Sequence, residues 1–201
     1  MNRRVDTEPP HPPVWRRLFH LTAGSTIPLA GIFTPETVMV WALAALSAGG
    51  LGMDLARFRI GWLNRVFLGW LAPLLKSNEA SRVTGATYMA LAALAVFLVF
   101  ERPVAVAALL FLSFGDPAAA LAGRRMPGPR VFGKSPGGTA AFIAVSWAVV
   151  GALVATGVVE YHWGFMAGAV AAGLAELAPL PIDDNLTVPI AAAGVMYLTG
   201  V

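Results

Sequence analysis

Apolar residues run through this chain in long blocks separated by short polar ones, and the blocks predict its elements. Leu18–Phe33 is the first block, with His20 near its start, and Thr34-Pro35-Glu36 turns the chain. Thr37–Met53 is the second and ends in Asp54-Leu55-Ala56-Arg57. In the mixed stretch Arg57–Arg82, Ile60–Leu75 sets Trp62, Phe67, Trp70 and Leu74 among Asn64, Arg65 and Lys76. That pattern predicts an amphipathic helix lying in the membrane interface rather than crossing it. Val83–Phe100, Val104–Gly123, Gly138–Val159, Trp163–Leu180 and Leu186–Val201 follow, the first two separated by Glu101-Arg102-Pro103. A spanning helix needs roughly 20 residues, so the first and last blocks are short. Seven spans is the expectation, with six plus a re-entrant segment as the alternative.

Composition turns these blocks into membrane segments. Hydrophobic residues make up 57% and charged residues 12%, against about a quarter charged in soluble domains. The expected fold is all-α, a polytopic transmembrane helical bundle. Residues 1–13 form a polar, Pro-rich arm, expected to be mobile, and 14–201 a single transmembrane domain. The arm lacks the apolar core of a signal peptide and the Ser-rich, acid-poor character of a transit peptide. Zero cysteines exclude disulfides, Cys-ligated zinc and a Cys nucleophile. The histidines at 11, 20 and 162 are scattered, and no serine is spaced with His and Asp as a triad. Basic residues lack the aromatic interleaving of a nucleic-acid surface.

Charge then orients the bundle. Of the 14 Lys and Arg residues, Arg102 alone falls on one side of the alternation. The others lie in the arm and first turn (Arg3, Arg4, Arg16, Arg17), in the loop after span two (Arg57, Arg59, Arg65, Lys76, Arg82), or in the loop after span four (Arg124, Arg125, Arg130, Lys134). The positive-inside rule therefore predicts a cytoplasmic N-terminus in the cell's inner membrane. The same side collects His20, Asp54, Arg57, Glu79, Asp116, Lys134, Glu176 and Asp183-Asp184-Asn185, which argues for one shared cytoplasmic site.

The stretch Ser113–Phe142 carries the most chemistry. Gly115-Asp116-Pro117 stands 12 residues into span four. Proline disrupts a helix interior but suits a first turn, and Asp is a strong N-cap. The expectation is a broken fourth span, with Asp116 capping a second half over Pro117–Gly123. A carboxylate there would be a metal ligand or a general base, or simply a structural cap on a kink.

Gly128-Pro-Arg-Val-Phe-Gly133-Lys134-Ser135 matches the P-loop spelling. A true P-loop follows a β-strand, and no soluble stretch here would hold one, so that homology is rejected. The local physics remains: Gly133, Gly138 and Thr139 would present amides to phosphate while Lys134 supplies charge. The bland reading makes Arg124, Arg125, Arg130 and Lys134 topology determinants that touch lipid headgroups. Asp183, Asp184 and Asn185, with Glu176, offer oxygens for a divalent cation; a plain polar turn is the alternative. Asp54 and Arg57 can pair on one helix face, as a structural or a catalytic pair. His20 would be structural, bind phosphate or take a proton.

These pieces together resemble the CTP-dependent lipid-alcohol kinases: phytol kinase, dolichol kinase and the yeast-type diacylglycerol kinase. The matching residues are Arg16-Arg17-Leu-Phe-His20, Met53-Asp54-Leu-Ala-Arg57, and Glu79 leading to Thr84-Gly85-Ala-Thr-Tyr88. They continue with Gly115-Asp116-Pro-Ala-Ala-Ala-Leu-Ala-Gly123-Arg124-Arg125, Gly133-Lys134-Ser135-x-x-Gly138-Thr139 and Asp183-Asp184-Asn185-Leu-Thr-Val-Pro189. The resemblance implies transfer of the γ-phosphoryl group of CTP to a lipid alcohol, a polyprenol, phytol or diacylglycerol, with Mg²⁺. It also implies that the Gly115-Asp116 and Gly133-Lys134-Ser135 stretches contribute to the nucleotide site. Asp116, Asp54 and Lys134 are the catalytic candidates. Gly115, Arg124, Arg125, Gly133, Ser135, Gly138, Thr139, Arg57 and His20 would bind nucleotide or phosphate. Asp116, Asp183, Asp184, Asn185 and Glu176 are the metal candidates. Pro136-Gly137 departs from the family, which often has an aliphatic residue and an acid there, and the chain lacks the extra N-terminal spans of dolichol kinases. Two alternatives stand beside the kinase, a phosphatidate cytidylyltransferase-like CMP transfer and a non-enzymatic membrane carrier. Small residues in Ala167–Ala172 would permit close helix packing within or between chains.

Overall fold

The computed structural model describes residues 14–71, 74–75, 79–126 and 128–201, with side chains from residue 21 onward. The arm, Lys76 and the side chains of Arg16, Arg17 and His20 lie outside the described residues. Eight helices make up most of the described chain: α1 Val14–Phe33, α2 Glu36–Arg59, α3 Gly61–Leu71, α4 Gly85–Val99, α5 Arg102–Arg125, α6 Pro136–Ala155, α7 Trp163–Leu177 and α8 Asp184–Leu198. Every apolar block becomes a helix, and the amphipathic stretch becomes α3. Trp62, Val66 and Trp70 are exposed on it and no residue of it is buried.

Among the described residues, three helices, α2, α5 and α6, are long and apolar enough to cross a membrane. Leu21–Phe33, α4 and α7 are apolar but shorter. α2 turns most of its surface outward, with Trp41, Leu46 and Leu55 exposed. An apolar helix with an apolar outer face is what a lipid environment favours.

α5 is the centre of the bundle, packed against α1, α4, α6, α7 and α8. Its residues Val104 to Ser113 are all buried. It is also unbroken from Arg102 to Arg125, with Pro117 inside it, which corrects the expected break at Asp116. Proline does remove a helical hydrogen bond and crowd the preceding turn, at about 3 kcal/mol. In α5 that cost is offset by the packing of the helix against five others, which holds the backbone helical on both sides of the proline.

The α5–α6 crossing explains the small residues around Asp116. A Cβ on Gly115 would come within 2.6 Å of the Phe142 ring, and one on Gly138 within 2.8 Å of the Ala119 carbonyl oxygen. Gly115, Ala119 and Gly123 recur every fourth residue, so one face of α5 is a small-residue stripe that lets α6 approach closely. The stripe in α7 is likewise used inside the chain. Gly168 packs on Met196 and Ala192 of α8, and Gly173 packs on Ile143 of α6.

Candidate phosphate-binding site

The C-terminal ends of α2, α5 and α7 and the N-terminal ends of α4, α6 and α8 meet at one end of the bundle. Most of the polar residues singled out in the sequence gather there, in two separate arrangements.

The first is a buried clasp around Arg57. Its Nε donates to Asp54 Oδ1 at 2.7 Å. One terminal nitrogen donates to Asn64 Oδ1 and the Ala80 carbonyl, the other to the Glu79 and Arg82 carbonyls. All five guanidinium N–H groups are thus used, and Phe58 and Phe67 stack against the same group. The other oxygen of Asp54 accepts from Thr84 N, Thr84 Oγ1 and Thr87 Oγ1. Glu79 Oε1 accepts from the Gly85 amide at the start of α4. The pair thus ties α2 to α3, to the 79–84 segment and to α4. Neither Asp54 nor Arg57 lines either of the two clefts described below. Their geometry is that of a clasp that fixes the backbone around Glu79 and Arg82.

The second arrangement is a cleft of about 250 Å³ between α5, the 126–135 turn, the start of α6 and the end of α7. Asp116, Arg124, Arg130, Gly133, Lys134, Ser135, Gly138, Thr139 and Glu176 line it. Lys134 is aimed by a two-residue hairpin. Val131 N–H donates to the Lys134 carbonyl at 2.8 Å, and Lys134 N–H returns to Val131 O at 2.9 Å. Phe132 and Gly133 both take positive φ, 52° and 83°, as a primed hairpin turn requires. Arg130 fastens the hairpin to α5 through the Gly123 carbonyl.

The Lys134 ammonium donates to the backbone carbonyl of Glu176. It also lies 3.1 Å from Glu176 Oε1 and 2.9 Å from Asp184 Oδ2. Burial pulls its pKa down, but the hydrogen bond and charge of Asp184, followed by the charge of Glu176, outweigh that and leave it above the usual lysine value. Asp116 is near enough for its charge to be felt at Glu176. Thr139 Oγ1 is buried with no hydrogen-bond partner among the described residues. A buried hydroxyl left in this state costs roughly 1–3 kcal/mol, and it lies in the wall of the cleft.

The sequence-predicted residues are thus sorted. Asp116, Lys134, Arg124, Gly133, Ser135, Gly138, Thr139 and Glu176 share one cleft, while Gly115 and Arg125 do not line it. Asp183 caps α8 through the Asn185 amide and also accepts from Asn185 Nδ2. Asp184 is held by Lys134. Among the described residues no group of three or more His, Cys, Asp or Glu is arranged as a metal cage. The five metal candidates therefore do not form one protein-only site. Asp116 and Glu176, two carboxylates facing a phosphate-sized cleft, fit the way Mg²⁺ is held together with substrate phosphates. Sequence reasoning missed the roles of Thr84, Thr87 and Asn64, ordinary polar residues whose importance comes only from the buried pair they satisfy.

Comparisons with family models, with curated proteins and with solved structures return no match.

Proposed function

We propose that this protein is a membrane-embedded kinase that moves the γ-phosphoryl group of CTP onto a lipid alcohol at the cytoplasmic face of the inner membrane, in a bundle of seven spans. The observation that carries this reading is the cleft that brings Asp116, Lys134, Arg124, Arg130 and the start of α6 together. Its charge balance suits a polyphosphate: three cations stand against Asp116 and Glu176. The basic loops gather at the cleft end of the bundle, which supports a cytoplasmic site. The choice of CTP and of a lipid alcohol comes from the family resemblance.

Phosphoryl transfer needs mainly positioning and charge neutralisation. Lys134, Arg124 and Arg130 would hold the phosphate chain, and the α6 amides with the Thr139 hydroxyl would complete its hydrogen bonds. Asp116 would face the oxygen that attacks. A Mg²⁺ ion bound with the nucleotide would be held by Asp116 and Glu176 and would supply neutralising charge. The γ-phosphorus bonds to the acceptor oxygen, CDP leaves, and the hydroxyl proton passes to a base or to water.

Purified protein in lipid vesicles with prenols, phytol and diacylglycerol, given γ-labelled or α-labelled CTP, tests this reading. Label from the γ position alone in lipid is the expected result. Label from the α position would assign a cytidylyltransferase, and none from either would remove the kinase.

A further inference from the structure

A second cleft, of about 300 Å³, opens on the other side of Lys134. It lies between the segment before α4 and the 178–184 segment, and Lys134 belongs to the walls of both clefts. Its chemistry differs from that of the first. Glu79, Asp183 and Asp184 line it against Arg82 and Lys134, so acids outnumber bases, whereas bases outnumber acids in the first cleft. The Lys134–Asp184 pair stands on the dividing line.

The wall formed by 178–184 is apolar where it meets the surface. Leu180 and Ile182 are both roughly half exposed, at 46% and 48%. Two prolines, Pro179 and Pro181, alternate with them and restrict the backbone that carries them. Exposed apolar side chains and carboxylates lining one cleft match an amphipathic molecule whose polar end donates hydrogen bonds and carries no negative charge. A second phosphate would be repelled there; a hydroxyl would be accepted.

We infer that this second cleft is the acceptor subsite, taking the hydroxyl end of a neutral lipid alcohol whose chain leaves over Leu180 and Ile182. The inference rests on the kinase reading and adds to it where the acceptor binds and which residues set its selectivity. Lys134, shared by both clefts, places the phosphoryl group at the boundary the hydroxyl must reach. The excess of acids over bases in this cleft would favour an alcohol over a lipid phosphate as acceptor.

The test compares Leu180→Trp and Ile182→Trp with the unsubstituted protein in vesicles containing a prenol acceptor. Both positions are exposed, so the larger ring does not have to enter the core. The expected result is an acceptor KM raised about tenfold, with the CTP KM changed less than twofold. A long-chain alcohol with a diazirine beside its hydroxyl end should, on irradiation, label peptides containing residues 178–184. Unchanged acceptor KM in both variants, or labelling confined to other segments, overturns the subsite while kinase activity stands. An unsubstituted protein that transfers no label overturns both readings together.

Discussion

Lys134 and Asp184, 50 positions apart in sequence, meet at 2.9 Å and join the hairpin before α6 to the first turn of α8. Lys134 also reaches Glu176, so a single ammonium fixes three segments around the two clefts. Its folded-state pKa lies above the ordinary lysine value of 10.5. The pair's contribution is therefore fully present below that ordinary value and is lost as pH rises through the raised pKa. The melting temperature in detergent should fall more steeply above that pH in the unsubstituted protein than in Lys134→Met. Parallel alkaline limbs in the two proteins would contradict the pair's role.

Breaking the Arg57 clasp should cost stability rather than chemistry. Arg57→Ala leaves Asp54 buried without its cation and takes the Arg57 donor from Asn64 Oδ1 and from the Glu79, Ala80 and Arg82 carbonyls. Removing one member of a buried, hydrogen-bonded pair typically costs about 3–5 kcal/mol. Thermal unfolding should show a large drop in melting temperature for Arg57→Ala and for Asp54→Ala. The double variant should lose less than the sum, because each single change already disrupts the same unit.

The α5–α6 crossing predicts a compensating pair. Gly115→Ala places a methyl 2.6 Å from the Phe142 ring and should destabilise by about 1–3 kcal/mol, the range for overpacking. Phe142→Leu in the same chain should recover part of that loss. Gly138→Ala meets backbone, the Ala119 carbonyl, so no side-chain change should rescue it. Denaturation of the three variants and the double variant checks both statements.

Helix positions were legible in the sequence because apolar blocks and Pro-rich or charged turns coincide along the chain. Thr34-Pro35 and Glu101-Arg102-Pro103 each mark a helix start in the structure, whereas α6 starts at Pro136, two residues before the expected Gly138. The convergence of Asp116, Lys134 and Glu176 was legible from topology, since alternating helices send all three to one end. The continuity of α5 was not. Local rules make Asp116-Pro117 a helix start, and only the packing of α5 against its neighbours overrides them. The roles of Gly115 and Gly138 were obscured for a related reason: glycine spacing reads the same for a phosphate loop as for a tight helix crossing. Asp54 and Arg57 were visible as a pair, but their satisfaction by Thr84, Thr87 and Asn64 depends on contacts distant in sequence.

The rate of γ-phosphoryl transfer from CTP to a prenol by Asp116→Asn, measured beside its melting temperature, tests the central claim most directly. Asn keeps the size of the side chain and removes its charge. The expected result is a rate lowered at least about 100-fold with a melting temperature close to that of the unsubstituted protein. Transfer at an undiminished rate would contradict the assignment of the Asp116–Lys134 cleft as the site of phosphoryl transfer.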